Sequence, residues 1–114
     1  MLLMIPINYK DLEKMTQTSL FNIGGRQYSI TIRKSTISKN CYITIEVDRE
    51  LICENKSCTC GEFITRGIVD PEKYPEQFYF SYTTDGIGRN FNYDDLGEKL
   101  FLFYWDGNED DINA

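Results

Sequence analysis

Apolar and polar residues alternate with a period of two along much of this chain. Phe21 and Ile23 alternate with polar neighbours, and Tyr28, Ile30 and Ile32 do so again after Gly24-Gly25. In the stretch Cys41–Val47, Cys41, Ile43, Ile45 and Val47 share one side, while Tyr42, Thr44 and Glu46 take the other. Phe78, Phe80 and Tyr82 alternate in the same way with Tyr79, Ser81 and Thr83. A period of two is the mark of a half-buried strand, because successive side chains point to opposite faces. The Gly24-Gly25 pair supplies the positive φ angles that a tight hairpin needs and most residues resist. Gly24 and Gly25 are therefore predicted to form the turn of a first hairpin over about residues 19–34. The stretch Leu100–Trp105 departs from the alternation and is apolar on both sides.

Turn chemistry divides these strands. Asp48-Arg49-Glu50 reads as a turn into a short strand at residues 51–53, and the polar residues 54–59 read as a second turn. Residues 60–68 suit a short strand broken by Gly61 and Gly67, and Pro71 and Pro75 stiffen the loop that follows. Thr84-Asp85-Gly86 turns the chain again. Residues 8–17 are mostly polar, and no repeat or sustained helical period appears. These elements predict an all-β fold, a small antiparallel barrel or sandwich in a single domain. The expected organisation is an N-terminal arm over residues 1–18, a β-domain over 19–105 and an acidic tail over 106–114.

Composition narrows the function classes. The chain has 114 residues, enough for one modest core, and eight Tyr, seven Phe and one Trp. Its net charge of −6 argues against nucleic-acid binding, which requires clustered Lys and Arg. There is no histidine, the commonest general base and metal ligand. The apolar start, residues 1–7, lacks a basic flank and a cleavage site, and no stretch is long enough to span a bilayer. The expectation is a protein made and used from the cytosol, with its four cysteines reduced.

Candidate chemistry is sparse. Cys53, Cys58 and Cys60 are closely spaced, but zinc sites pair Cys-x2-4-Cys units with a matched second pair. Cys41 would complete a four-thiolate set only if its strand lay beside that loop. Its place in the Ile43, Ile45, Val47 row points it inward as a small hydrophobe. The thiols read as structural, with a metal-stabilised domain or an oxidation-formed disulfide as the alternatives. No metal and no cofactor are expected. Asp94-Asp95 and Glu109-Asp110-Asp111 lack the ligand spacing of calcium loops and read as solvated turn acids. Gly86-Ile87-Gly88 lacks the Lys and helix of a phosphate cradle. Without His, no Ser or Cys has the usual base, so no catalytic residues are expected and the protein is read as a non-enzyme.

The aromatic strand has a different implication. Leu100, Leu102 and Tyr104 fill one face of it, and Phe101, Phe103 and Trp105 the other. Either the chain covers both faces itself, or one face is left for a partner. Ile5, Pro6, Ile7, Phe101, Phe103 and Trp105 are the resulting interface candidates. A soluble β-module that binds carbohydrate or peptide through exposed aromatics is the reading these residues allow from another class.

Several of these features, in order, resemble the small baseplate plug proteins of contractile-tailed bacteriophages. The family pattern opens with apolar-Pro-apolar, met by Ile5-Pro6-Ile7, and continues with Gly-Gly-x-x-Tyr, met by Gly24, Gly25 and Tyr28. An aromatic strand into an acidic turn and a Leu follows, met from Tyr42 to Asp48 and by Leu51. Asp94-Asp95-Leu96-Gly97 then precedes the last apolar strand with Leu100, Leu102 and Tyr104. Residues 53–74 do not align with the pattern. The resemblance implies a structural protein of the virion tail, assembled in the host cytoplasm, that helps close the tail tube near the hub and spike. Its partners would be the hub, spike and tail tube proteins and other copies of itself, with no nucleic acid and no membrane.

Overall fold

The computed structural model describes residues 2–5, 16–64, 76–83 and 90–106. The strands in order are β1 (Leu2–Met4), β2 (Thr16–Ile23), β3 (Arg26–Lys34), β4 (Cys41–Val47), β5 (Glu50–Ser57), β6 (Gln77–Tyr82) and β7 (Leu100–Trp105). They form two antiparallel sheets, a four-stranded one ordered β2-β3-β4-β5 and a three-stranded one ordered β1-β7-β6. The two sheets face each other without closing into a barrel, so the architecture is a sandwich. Among the described residues there is no α-helix, only a 3₁₀ turn at Tyr93–Asp95.

Alternation produces the core. Tyr28, Ile30 and Ile32 from β3 and Cys41, Ile43, Ile45 and Val47 from β4 point inward from one sheet. Phe78, Phe80 and Tyr82 from β6 and Leu100, Leu102 and Tyr104 from β7 meet them from the other. Tyr28, Phe78 and Tyr104 pack edge to face, with ring centroids 5.6 to 5.8 Å apart, a geometry that suits the aromatic quadrupole. At the rim of this cluster, Glu76 is nearly buried. Its Oε1 lies 2.6 Å from Arg26 Nη1 and accepts from the Tyr28 hydroxyl at 3.3 Å. The pair ties the start of β3 to the entry of β6, and so one sheet to the other.

Two hairpin turns are built with different residues. Gly24 and Gly25 have φ of +58° and +83° between the paired residues Ile23 and Arg26, a two-residue turn whose twist matches its strands. Asp48 and Arg49 adopt φ of +49° and +69° without glycine. The strain is offset locally, because Asp48 exchanges hydrogen bonds with Gln27. Its N–H donates to Gln27 O, and its Oδ1 accepts from Gln27 N–H, both at 2.8 Å.

Three sequence expectations change. The polar residues 54–59 are not a turn. β5 continues to Ser57 through a bulge at Asn55, where φ is +47° and the N–H donates to Thr44 Oγ1 at 3.0 Å. A second extra residue, between Leu51 and Cys53, shifts the register with β4 again and turns both Ile52 and Cys53 inward. Residues 1–18 are not a separate arm in their described parts, since β1 pairs with β7 and β2 begins at Thr16. Ile5 is not a surface residue. It is 1% exposed, and its N–H donates to Leu102 O at 2.9 Å, which seats it in the core beside β7. Pro6, Ile7, the 70–75 loop, Gly86-Ile87-Gly88 and residues 107–114 lie outside the described residues.

Candidate interaction surface

The outer face of the three-stranded sheet concentrates apolar side chains. Because directly opposed residues share a face, Phe103 stands between Met4 and Tyr79, and Trp105 between Leu2 and Gln77. Tyr79 and Phe103 stack at 5.5 Å with an interplanar angle of 20°. Phe63 reaches the same face from the segment after β5, stacking on Trp105 at 5.6 Å and meeting Tyr79 edge to face at 5.7 Å. Phe101, Phe103 and Trp105 are half-buried, and Leu2 and Met4 at the sheet edge are 43% and 51% exposed. Burial in these apolar surroundings pushes the Tyr79 phenol above its ordinary pKa. Phe101, Phe103 and Trp105 thus share one surface, whereas Ile5 does not. Leu2 and Met4 belong to the apolar start at residues 1–7, while Phe63 and Tyr79 were not legible as members of that surface. Tyr79 carried a weak signal in its alternating stretch, but Phe63 lies in the short run Glu62-Phe63-Ile64-Thr65, which has no sustained alternation.

The segment carrying Phe63 also covers one sheet edge. Gly61 N–H donates to Phe80 O at 3.0 Å and Ile64 N–H to Phe78 O at 2.7 Å, so residues 60–64 run along the outer side of β6. Lys56 Nζ donates to Ile64 O, tying this segment to β5.

The cysteines lie within the structure's interior. Cys41 is beside the loop after β5, where Cys58 N–H donates to Cys41 O at 2.9 Å. Cys41, Cys53 and Cys58 are buried, Cys60 is half-buried, and all four are free. Burial pushes the Cys41 thiol up to about 11, against a partial pull downward from Lys34. Burial raises Cys58 further, reinforced by the neighbouring thiols of Cys41, Cys53 and Cys60. Such thiols are protonated at neutral pH and are poor ligands or nucleophiles. Among the described residues, no three of Cys, Asp and Glu are arranged to hold a metal ion.

The acidic pair before β7 shapes the chain. Asp94 N–H donates to Asn92 Oδ1 at 2.9 Å, and its carboxylate meets Lys39 Nζ at 3.0 Å. Asp95 Oδ2 accepts from the Tyr82 hydroxyl at 2.7 Å, anchoring the 3₁₀ turn to β6. These contacts hold the approach to β7, which places its aromatic row. A polar cleft lined by Asn40, Ser57, Thr59, Glu62, Asn90 and Phe91 has only one aromatic in its wall, unlike the stacking platforms of a sugar site.

A search against curated proteins returned no match. A model of the family described as the cyanophage baseplate Pam3 plug gp18 matches residues 3–108, nearly the whole sandwich, and the chain belongs to that family.

Proposed function

We propose that this protein is a structural component of the phage tail baseplate that plugs the tail tube near the hub and spike through protein–protein contacts. The family match over residues 3–108 carries the reading. The outer face of β1-β7-β6 supports it, because a row of half-buried aromatics with exposed Leu2 and Met4 at its edge suits a protein interface. The hub, spike and tail tube proteins are the partners this face would meet. Other copies of the chain are further neighbours in the assembly. The protein would act by surface complementarity after assembly in the host cytoplasm, and it has no enzymatic role in this reading. Its aromatic rings stack on one another across a sheet, which favours an interface over carbohydrate capture.

Sedimentation of the purified chain with hub and tail tube proteins tests this. A complex is expected, weakened by Trp105→Ala, with the protein detected at the baseplate end of purified virions. A chain absent from virions, binding neither protein, would overturn the proposal.

A further inference from the structure

The four-stranded sheet has two very different edges. β5 carries Glu50, Glu54 and Lys56 and is bent by the bulge at Asn55. Charges and bulges of this kind are how sheets discourage further strand pairing. β2 has none of these devices. Its eight residues, Thr16-Gln17-Thr18-Ser19-Leu20-Phe21-Asn22-Ile23, contain no charged residue, no proline and no glycine. They pair with β3 in unbroken register from Thr16↔Arg33 to Ile23↔Arg26. No other described strand lies on the outer side of β2. In the second sheet, β6 is lined by residues 60–64 and β1 is only three residues long. Among the described strands, β2 is therefore the long edge left ready to accept another strand.

We infer that β2 pairs antiparallel with β2 of a second copy of this chain, about a two-fold axis at Leu20. The occupant follows from the chemistry of the edge. Because the chain carries a net charge of −6, two copies meet with least like-charge repulsion along an uncharged strip, and β2 is such a strip. A charged partner strand would find nothing there to pair with. The two-fold makes the strand self-complementary. On the outer face, Leu20 meets Leu20 of the copy, and Thr18 meets Asn22 of the copy on either side. Leu20 is 67% exposed, the most exposed large hydrophobic side chain within a strand, and its own counterpart would cover it. On the inner face, Ser19 stands opposite Phe21 of the copy. The four strands of each copy would join into one continuous sheet. This contact is separate from the aromatic face, which looks outward from the other sheet.

Analytical ultracentrifugation of the full chain over a range of concentrations tests the pairing. A concentration-dependent monomer–dimer equilibrium is expected. Leu20→Lys should weaken dimerisation by at least about tenfold, since like charges would stand directly opposite each other. Leu20→Glu should do the same, and an equimolar mixture of the two variants should recover the dimer. Circular dichroism checks that both variants stay folded, as the exposure of Leu20 leads one to expect. A wild-type chain that is monomeric throughout would overturn the proposal. So would a dimer indifferent to Leu20→Lys, a mixture that stays monomeric, or a dimer abolished by Trp105→Ala. Hub and tube binding measured on the same variants keeps the two proposals distinguishable. Leu20→Lys should retain it, and its absence from every variant would count only against the baseplate interface.

Discussion

The outer face of β1-β7-β6 presents Phe101, Phe103, Trp105 and Tyr79, whereas the outer face of β2-β3-β4-β5 is mostly polar, with Thr18, Ser29, Thr31, Thr44 and Glu46 beside Leu20 and Tyr42. Behind these faces both inner rows are apolar, with Tyr28 and a row of Ile, Val and Cys from one sheet meeting Phe, Leu and Tyr from the other in one core. The difference shows that burial on one face is enough to define a strand, and that the second face is free to record what it meets. A hydroxyl-rich face is satisfied by water and local bonds such as Thr18 Oγ1 to Thr31 Oγ1 at 2.9 Å. An aromatic face is not, and its rings stack on one another across the sheet.

The largest effect expected separates the two sides of a single strand. Leu102→Ala, fully buried, should destabilise the protein by about 2–5 kcal/mol, while Trp105→Ala should lower stability much less and weaken partner binding. Denaturant unfolding of both variants checks this, and equal losses would erase the distinction between inner and outer rows.

A second test addresses the inner row of the four-stranded sheet through pH. The Cys41 thiol is held at about 11 when folded, against an ordinary value of 9.0. Because the folded pKa is raised, the stability it confers is full below about pH 9 and is lost as pH rises towards about 11, by on the order of 2–3 kcal/mol. Burial of Cys53, Cys58 and Tyr104 acts with the same sign. Thermal melts from neutral to alkaline pH should show this slope, and Cys41→Ala should reduce it while the other buried groups keep the rest.

Next in size, Gly25→Val should cost about 1–3 kcal/mol. A Cβ there meets nothing within 4 Å, so the whole cost is backbone strain at φ +83°. The smallest effect belongs to the hydroxyl face, where Thr31→Val should change stability by no more than about 0.5 kcal/mol. A large loss there would mean that this face also packs against something.

Strand boundaries were legible where burial and alternation coincide. Cys41–Val47 and Leu100–Trp105 match their apolar patterns end to end. β5 beyond Cys53 was not legible, because an edge strand bent by a bulge loses its alternation and keeps its charges for solvent. Glu76 gave no signal either. Its two partners, Arg26 and Tyr28, lie about fifty residues away in the chain.

Local pattern was sufficient to specify an all-β chain, its first glycine hairpin, an inward Cys41 and the division of residues 100–105 into two apolar rows. Each of these depends on neighbours one or two residues apart, which a linear reading contains. The packing of distant segments settled the rest. It drew Ile5 into the core beside β7, brought Phe63 from beyond β5 onto Trp105, and left β2 rather than β5 as the uncharged edge of its sheet. Contacts across tens of residues arise from which surfaces the folded sheets place together, and no periodicity within a strand encodes that choice.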